Sequence, residues 1–294
     1  MDDRSRTPSV FRDTRSILVE SIWWDDAAER LVWVDISAGT LHRSPLGGAR
    51  DGGDDLVVEL PPPLTAVQPR AGGGFVASLG DRVVLLDADG AIERTLVEIE
   101  HAHAGLRLNE GKVDAFGRFI VGSMNLTTGE PDAALYSVEP DGSSRTLLGG
   151  FGVANGFEWS PDGSTMYVTD TAASTVYRAE YGPDGDLGAL EPFLVGHASD
   201  GLALDVDGCF WNGVYGEGVV LRWTPGGEVA EEIAVDAPNI TSVAFGGPGF
   251  GTLFIGSARE QLTEEQLVRS PLSGGVFSLD VGVSGRAPHR FGRV

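Results

Sequence analysis

Residues 107–112 read RLNEGK, placing a guanidinium, an amide, a carboxylate and an ammonium directly ahead of an apolar run. Arg107 can hold a ligand through the rigid fork of its guanidinium. Asn109 can orient a hydroxyl or a water, because its amide both donates and accepts. Each residue has a plainer reading: Arg107 as an exposed ion pair with Glu110, Asn109 as the start of an Asx turn, and Lys112 as a cap on the strand. Three further residues, Glu20, Asn155 and Asp200, offer oxygen ligands. Oxygen donors suit a hard divalent cation such as Ca²⁺, Mg²⁺ or Mn²⁺, and Fe²⁺ and Zn²⁺ are also admitted. Taken singly, the Asn-Gly and Asp-Gly pairs at 155 and 200 are ordinary turn formers.

The elements around these residues connect them. Six short apolar strands recur: LVWVDI from Leu31, FVASLG from Phe75, FIVGSM from Phe119, MYVTDT from Met166, FWNGVY from Phe210 and LFIGSA from Leu253. Their starts are about 43–47 residues apart, the period of a β-propeller blade. Clusters such as VDAFGR, SPDGST and DVDGC precede them and supply the positive φ angles of tight hairpins. A second alternating strand follows most copies. One such meander cannot bury both faces, whereas six arranged radially can, around a central channel. The fold expected is therefore all-β, a six-bladed propeller spanning residues 17–294, with residues 1–16 as a flexible N-terminal arm. Helix signals are few. In LTEEQLVRS, Thr263 is placed to act as N-cap, with Gln266 completing a capping box.

Stepping back ten to twelve residues from each repeated strand reaches Glu20, Thr65, Arg107 with Asn109, Asn155, Asp200 and Thr241. Each opens a strand that would be the innermost of its blade. Residues distant in sequence would thus face one another around one rim, which explains the polar chemistry at 107–112. Two carboxylates facing a narrow, dry channel are poorly solvated without a cation.

Composition narrows the partners. A formal net charge of −22 disfavours phosphate backbones and anionic lipid surfaces. No nucleic-acid or membrane partner is expected, and no apolar run is long enough to span a bilayer. The one cysteine, Cys209, excludes an intrachain disulfide and fits a cytoplasmic location; it reads as a buried, inert thiol. The N-terminus has no apolar signal-peptide core. The chain is expected to be a monomer or a weak homo-oligomer. His101 and His103 share one face if extended, and read as a solvated loop rather than a second metal site. No Ser-His-Asp arrangement is visible, and no glycine cluster has the form of a phosphate loop. The tryptophans in the repeated strands (Trp23, Trp24, Trp33, Trp159, Trp211) read as blade packing.

The segments LVESIWWDDAAERLVWVDI, RLNEGKVDAFGRFIVGSM, GVANGFEWSPDGSTMYVTDT, SDGLALDVDGCFWNGVYGEGVVLRW, NITSVAFGG and PLSGGVFSLDVGVSG together resemble the gluconolactonase–regucalcin (senescence marker protein) family of six-bladed propellers. The resemblance covers nearly everything after the first 16 residues. It implies one divalent metal, Ca²⁺ foremost, held by Glu20, Asn155 and Asp200. It implies hydrolysis of a sugar lactone to the aldonic acid, with Arg107 and Asn109 holding the substrate. Departures from the family pattern occur where VESI surrounds Glu20, where Glu110 replaces an aspartate, and where SMNLTTG brings Asn125 and Thr127 to a position that is acidic in some members. Glu110 and Asn125 are therefore candidate substrate contacts. Asp200 is the candidate general base, with Glu20 as the alternative. Two other readings stay open: a binding or regulatory propeller with a structural metal, and a hydrolase of other lactones or of phosphotriesters.

Overall fold

Residues 6–127 and 130–292 are described by a computed structural model. They build six antiparallel four-stranded sheets. Blade 1 runs Val19–Asp25, Arg30–Asp35, Thr40–Pro45 and Leu56–Glu59. Blade 2 comprises Leu64–Pro69, Phe75–Leu79, Arg82–Leu86 and Ile92–Glu98, and blade 3 comprises Leu106–Val113, Phe119–Asn125, Ala133–Val138 and Ser144–Phe151. Ala154–Trp159, Thr165–Asp170, Thr175–Glu180 and Glu191–Val195 form blade 4. Ser199–Leu204, Phe210–Val214, Val219–Trp223 and Val229–Ala234 form blade 5. Blade 6 is Asn239–Gly246, Thr252–Ala258, Val276–Asp280 and, as its outer strand, Ser9–Arg12.

The first strand of each of blades 1–5, and Asn239–Gly246 of blade 6, touches its counterparts in the two neighbouring blades, which closes the ring. The six-bladed propeller read from the repeat period is the observed fold. Between blades, apolar side chains of facing sheets pack together. One cluster joins Trp23, Val32 and Val34 to Val67, Phe75 and Ala77; another joins Ile120 and Leu135 to Phe157, Trp159 and Val168. All five tryptophans assigned to packing are buried. The helix lies at Glu264–Arg269, with Thr263 and Gln266 forming the capping box. No helix among the described residues is long and apolar enough to cross a membrane.

Part of the segment expected as a loose arm takes a different role. Ser9–Arg12 pairs antiparallel with Val276–Asp280, so the two ends of the chain share one sheet. Four residues are too few to carry a readable alternation, and the partner strand lies more than 260 residues away. Arg12 anchors this closure. Its guanidinium is 3.0 Å from Asp55 and donates to the carbonyls of Pro45 and Gly47 at 2.8 Å each, tying blade 6 to blade 1. Both charged side chains are almost wholly buried.

Removing one partner of a buried pair leaves an uncompensated charge, which costs about 3–5 kcal/mol. Arg12→Ala is therefore expected to lower unfolding free energy by about that amount, read from the midpoint of urea denaturation, while Arg178→Ala, whose pair with Glu191 is exposed, changes it by less than about 1 kcal/mol.

Candidate metal centre and substrate pocket

Every innermost strand carries a register shift near its start: between Glu20 and Trp23, Leu64 and Ala66, Leu108 and Gly111, Asn155 and Phe157, Ser199 and Leu202, and Ile240 and Val243. A β-bulge bends the strand and re-aims its side chains. Six bulges at equivalent positions put the altered side chains on one rim. Gly156 sits in the blade 4 bulge at φ +29°, and a Cβ there would press on the Asp200 carbonyl oxygen. Only a glycine lets blades 4 and 5 approach this closely.

An aspartate repeated in blades 1 and 4 fixes the approach to these strands. Asp35, at the end of the second strand of blade 1, accepts from the amides of Ile17 at 2.7 Å and Leu18 at 3.2 Å. Asp170 does the same for Gly152 and Val153, both at 3.1 Å. Each pinned pair stands two residues before a candidate ligand, Glu20 or Asn155. The stiff part of the blade thereby sets the height of the ligand along the axis.

Glu20, Arg107, Asn109, Asn155 and Asp200 all line one pocket of about 160 Å³, together with Met124, Thr171, Tyr215, Glu260 and Gln261. A chain of hydrogen bonds crosses three blades here. Arg107 donates to Asn109 Oδ1 at 2.9 Å, and Asn109 Nδ2 donates to Asn155 Oδ1 at 2.7 Å. Asn155 Nδ2 donates to Thr171 Oγ1 at 2.9 Å, and Thr171 donates to the Ser199 carbonyl at 2.7 Å. The chain turns the Asn155 oxygen, and not its NH₂ group, toward Asn109. Asp200 Oδ1 is buried with no hydrogen-bond partner among the described residues, and so is the Tyr215 hydroxyl.

Burial raises the pKa of Glu20 well above the usual carboxylate range, and the charges of Asp200 and Glu110 add to it. Asp200 is raised for the same reasons, by burial first and then by Glu110. Burial lowers the pKa of Arg107, opposed by the fields of Glu260 and Glu20. Burial also raises Tyr215, reinforced by Glu260, Asp200 and Glu20. Among the described residues no three His, Cys, Asp or Glu side chains form a ligand group. The set at hand is two carboxylates and an amide, all oxygen donors, with one carboxylate oxygen left buried and bare. That chemistry fits a hard divalent cation.

The remaining expected residues lie elsewhere. Arg107 forms no ion pair with Glu110. Glu110 sits deeper in the channel, where the space narrows to about 20 Å³ between Gln68, Lys112 and Leu202; burial raises its pKa to about 7, against the pull of Lys112. Asn125 is buried at the rim of blade 3, donating to Asp132 and accepting from the Thr127 amide, and does not line the pocket. Thr65 bonds Ser78, and Thr241 bonds the Val19 carbonyl, so both hydroxyls serve the framework. Lys112 reaches the opposite mouth of the channel, where it meets Glu158 at 2.5 Å. His103 bonds Asp132 at 2.8 Å and His101 packs edge-on against Tyr136; neither lines the pocket. The Cys209 thiol is pushed up by burial and by Asp205.

Sequence reading missed Met124, Thr171 and Tyr215, although a signal for them was present. Each is the sixth residue of its repeated strand (FIVGSM, MYVTDT, FWNGVY), so they are in phase just as the candidate ligands are. Glu260 and Gln261 follow the corresponding strand of blade 6.

The family model for the SMP-30/gluconolactonase/LRE-like region matches residues 18–259. A 6-deoxy-6-sulfogluconolactonase of Pseudomonas putida is 36% identical, covering 94% of this chain and 95% of its own. An L-arabinolactonase of Azospirillum brasilense is 32% identical, covering 96% and 95%. Among solved structures, a regucalcin from Agrobacterium tumefaciens, described as a calcium-binding protein, superposes with a TM-score of 0.90 at 27% identity, covering 98% of both chains.

The raised carboxyl groups lead to a pH prediction. An unfolded carboxyl titrates near about 4, whereas Glu20, Asp200 and Glu110 hold their protons to higher pH when folded. The cation-free folded chain thus binds more protons than the unfolded chain, and its stability falls as pH rises through this window. Chelator-treated protein is expected to melt at a lower temperature at pH 7.5 than at pH 5.5. Added Ca²⁺ is expected to raise the melting temperature more at the higher pH, by calorimetry at both.

Proposed function

Because the chain belongs to the SMP-30/gluconolactonase/LRE-like family, we propose that it is a divalent-metal-dependent lactonase that opens a sugar lactone to the aldonic acid. The observation that carries this reading is the meeting of Glu20, Asn155 and Asp200 with Arg107 and Asn109 in one pocket, with Asp200 Oδ1 buried and unpaired. A purely structural ion needs neither the guanidinium nor the Asn109 amide beside it. The names of the Pseudomonas and Azospirillum relatives support lactone hydrolysis and leave the substituents of the ring open.

Glu20, Asn155 and Asp200 would hold the cation, which when bound supplies Lewis acidity toward a carbonyl and lowers the pKa of water. Asp200 would place one oxygen on the cation and take the proton of the attacking water with the other. Arg107 keeps two donors committed to the Leu108 carbonyl and Asn109 and turns its remaining N–H groups to the substrate. Tyr215 offers a hydroxyl that stays protonated next to three carboxylates. The narrow segment below, with room for about one water, keeps the floor of the pocket from bulk solvent. A second reading, in which cation binding is itself the function, draws on the description of the Agrobacterium neighbour.

A panel of aldonolactones, assayed on metal-stripped protein with Ca²⁺, Mn²⁺, Fe²⁺, Zn²⁺ or Mg²⁺ restored and scored by acid release, separates the two. Turnover with at least one cation supports the lactonase; cation binding with no turnover supports the binding protein. Asp200→Asn is expected to lower kcat by about 10²–10⁴-fold, the usual contribution of a general base. Thr171→Val, which breaks the chain orienting Asn155, is expected to weaken cation affinity about 10–100-fold, measured by titration calorimetry.

A further inference from the structure

Four charged side chains line the pocket: Glu20, Asp200, Arg107 and Glu260. On the lactonase reading the first two belong to the cation. Arg107 and Glu260 then decide what the rest of the substrate meets. No carboxylate among the described residues lies within ion-pair distance of Arg107, so this cation alone would draw an anionic substituent into the pocket. Glu260 opposes that. Its side chain has no hydrogen bond or ion pair among the described residues, and its field acts on both Arg107 and Tyr215.

The backbone that carries this carboxylate is held in place. The Glu260 amide donates to the Ile17 carbonyl at 3.0 Å, and the Glu260 carbonyl accepts from Asn239 Nδ2 at 3.0 Å. Gln261 follows at φ +62°, turning the chain sharply after this residue. The Ile17 amide itself is pinned by Asp35 at 2.7 Å. This fixes the Cα of Glu260 beside the pocket, so its carboxylate stays in the lining where a like charge would arrive.

We infer that Glu260 is a specificity-determining residue that selects lactones whose distal end is an uncharged hydroxyl over lactones bearing a phosphate, sulfonate or carboxylate there. Its free carboxylate accepts a hydrogen bond from a hydroxyl and repels an anion. This rests on the lactonase reading for the identity of the ring, but the charge selection follows from the pocket itself.

The test compares glucono-δ-lactone with its 6-phosphate, using wild type, Glu260→Gln and Glu260→Asp. Wild type is expected to prefer the neutral lactone. Glu260→Gln is expected to raise the ratio of kcat/KM for the phosphorylated over the neutral lactone by about tenfold, the scale of removing a like charge near a partly buried anion. Glu260→Asp, which keeps the charge, is expected to keep the preference. An unchanged ratio in Glu260→Gln, with glucono-δ-lactone still hydrolysed, overturns the inference and leaves the lactonase intact. If neither lactone is hydrolysed, the lactonase reading fails, and calorimetric binding of gluconate and 6-phosphogluconate decides the inference separately. A Kd ratio that moves toward the phosphorylated acid in Glu260→Gln upholds it, and an unmoved ratio overturns it.

Discussion

Burying like charges on the axis of a closed ring is the constraint around which this molecule is organised. Glu20 and Asp200 come from blades 1 and 5 and are both removed from water, with Glu110 beneath them adding to the repulsion. Water stabilises a carboxylate far better than a protein interior does. Such a cluster is relieved by a proton or by a cation, and the bare Asp200 oxygen marks where relief is needed. Ring closure makes the problem unavoidable, since six innermost strands in contact leave the carboxylates no route to solvent except the pocket mouth.

Rigidity comes from the blades and precision from the bulges. The packed faces between sheets hold the innermost strands in place, but regular alternation would point their side chains toward the two neighbouring blades and not at the axis. A bulge at the same height in all six strands breaks that alternation at the rim alone. The repeated aspartates, Asp35 and Asp170, then lock the preceding amides. Further along, the hydrogen-bond chain from Arg107 to Ser199 passes from blade 3 through blade 4 to blade 5, so the amide orientation of Asn155 depends on all three.

The two mouths of the channel differ in character. The mouth with the candidate ligands holds three carboxylates and one guanidinium in its lining. The opposite mouth is larger, about 300 Å³, with tryptophan, phenylalanine and proline walls, and it pairs its central charges, Lys112 against Glu158. Arg286 also lines that mouth and donates to the Trp159 carbonyl, so it is the unpaired carboxylates that are confined to one end. This division follows from strand direction: residues near the start of each innermost strand reach one mouth, and those near its finish reach the other. RLNEGK itself spans both, with Arg107 and Asn109 above, Glu110 in the narrow part and Lys112 below.

Periodicity alone was enough to read the number of blades, the three inner strands of most of them and the in-phase set of Glu20, Arg107, Asn109, Asn155 and Asp200, because a repeat of fixed length carries its geometry in its spacing; the outer fourth strands were not read. The spacing could not say which in-phase side chains face the pocket. Thr65 and Thr241 occupy equivalent positions, yet their hydroxyls turn to Ser78 on the adjacent strand of blade 2 and to the Val19 carbonyl of blade 1. Glu110 and Asn125 lie beside true lining residues, and a local bulge and a bond to Asp132 send them elsewhere. Nor could it join Ser9–Arg12 to Val276–Asp280, since pairing between the two chain ends leaves no local pattern. Chemistry that repeats along the chain was settled by the order of amino acids. What depends on closure, on bulge direction and on a partner hundreds of residues away was settled only when the ring formed, because no local pattern along the chain brings those residues together.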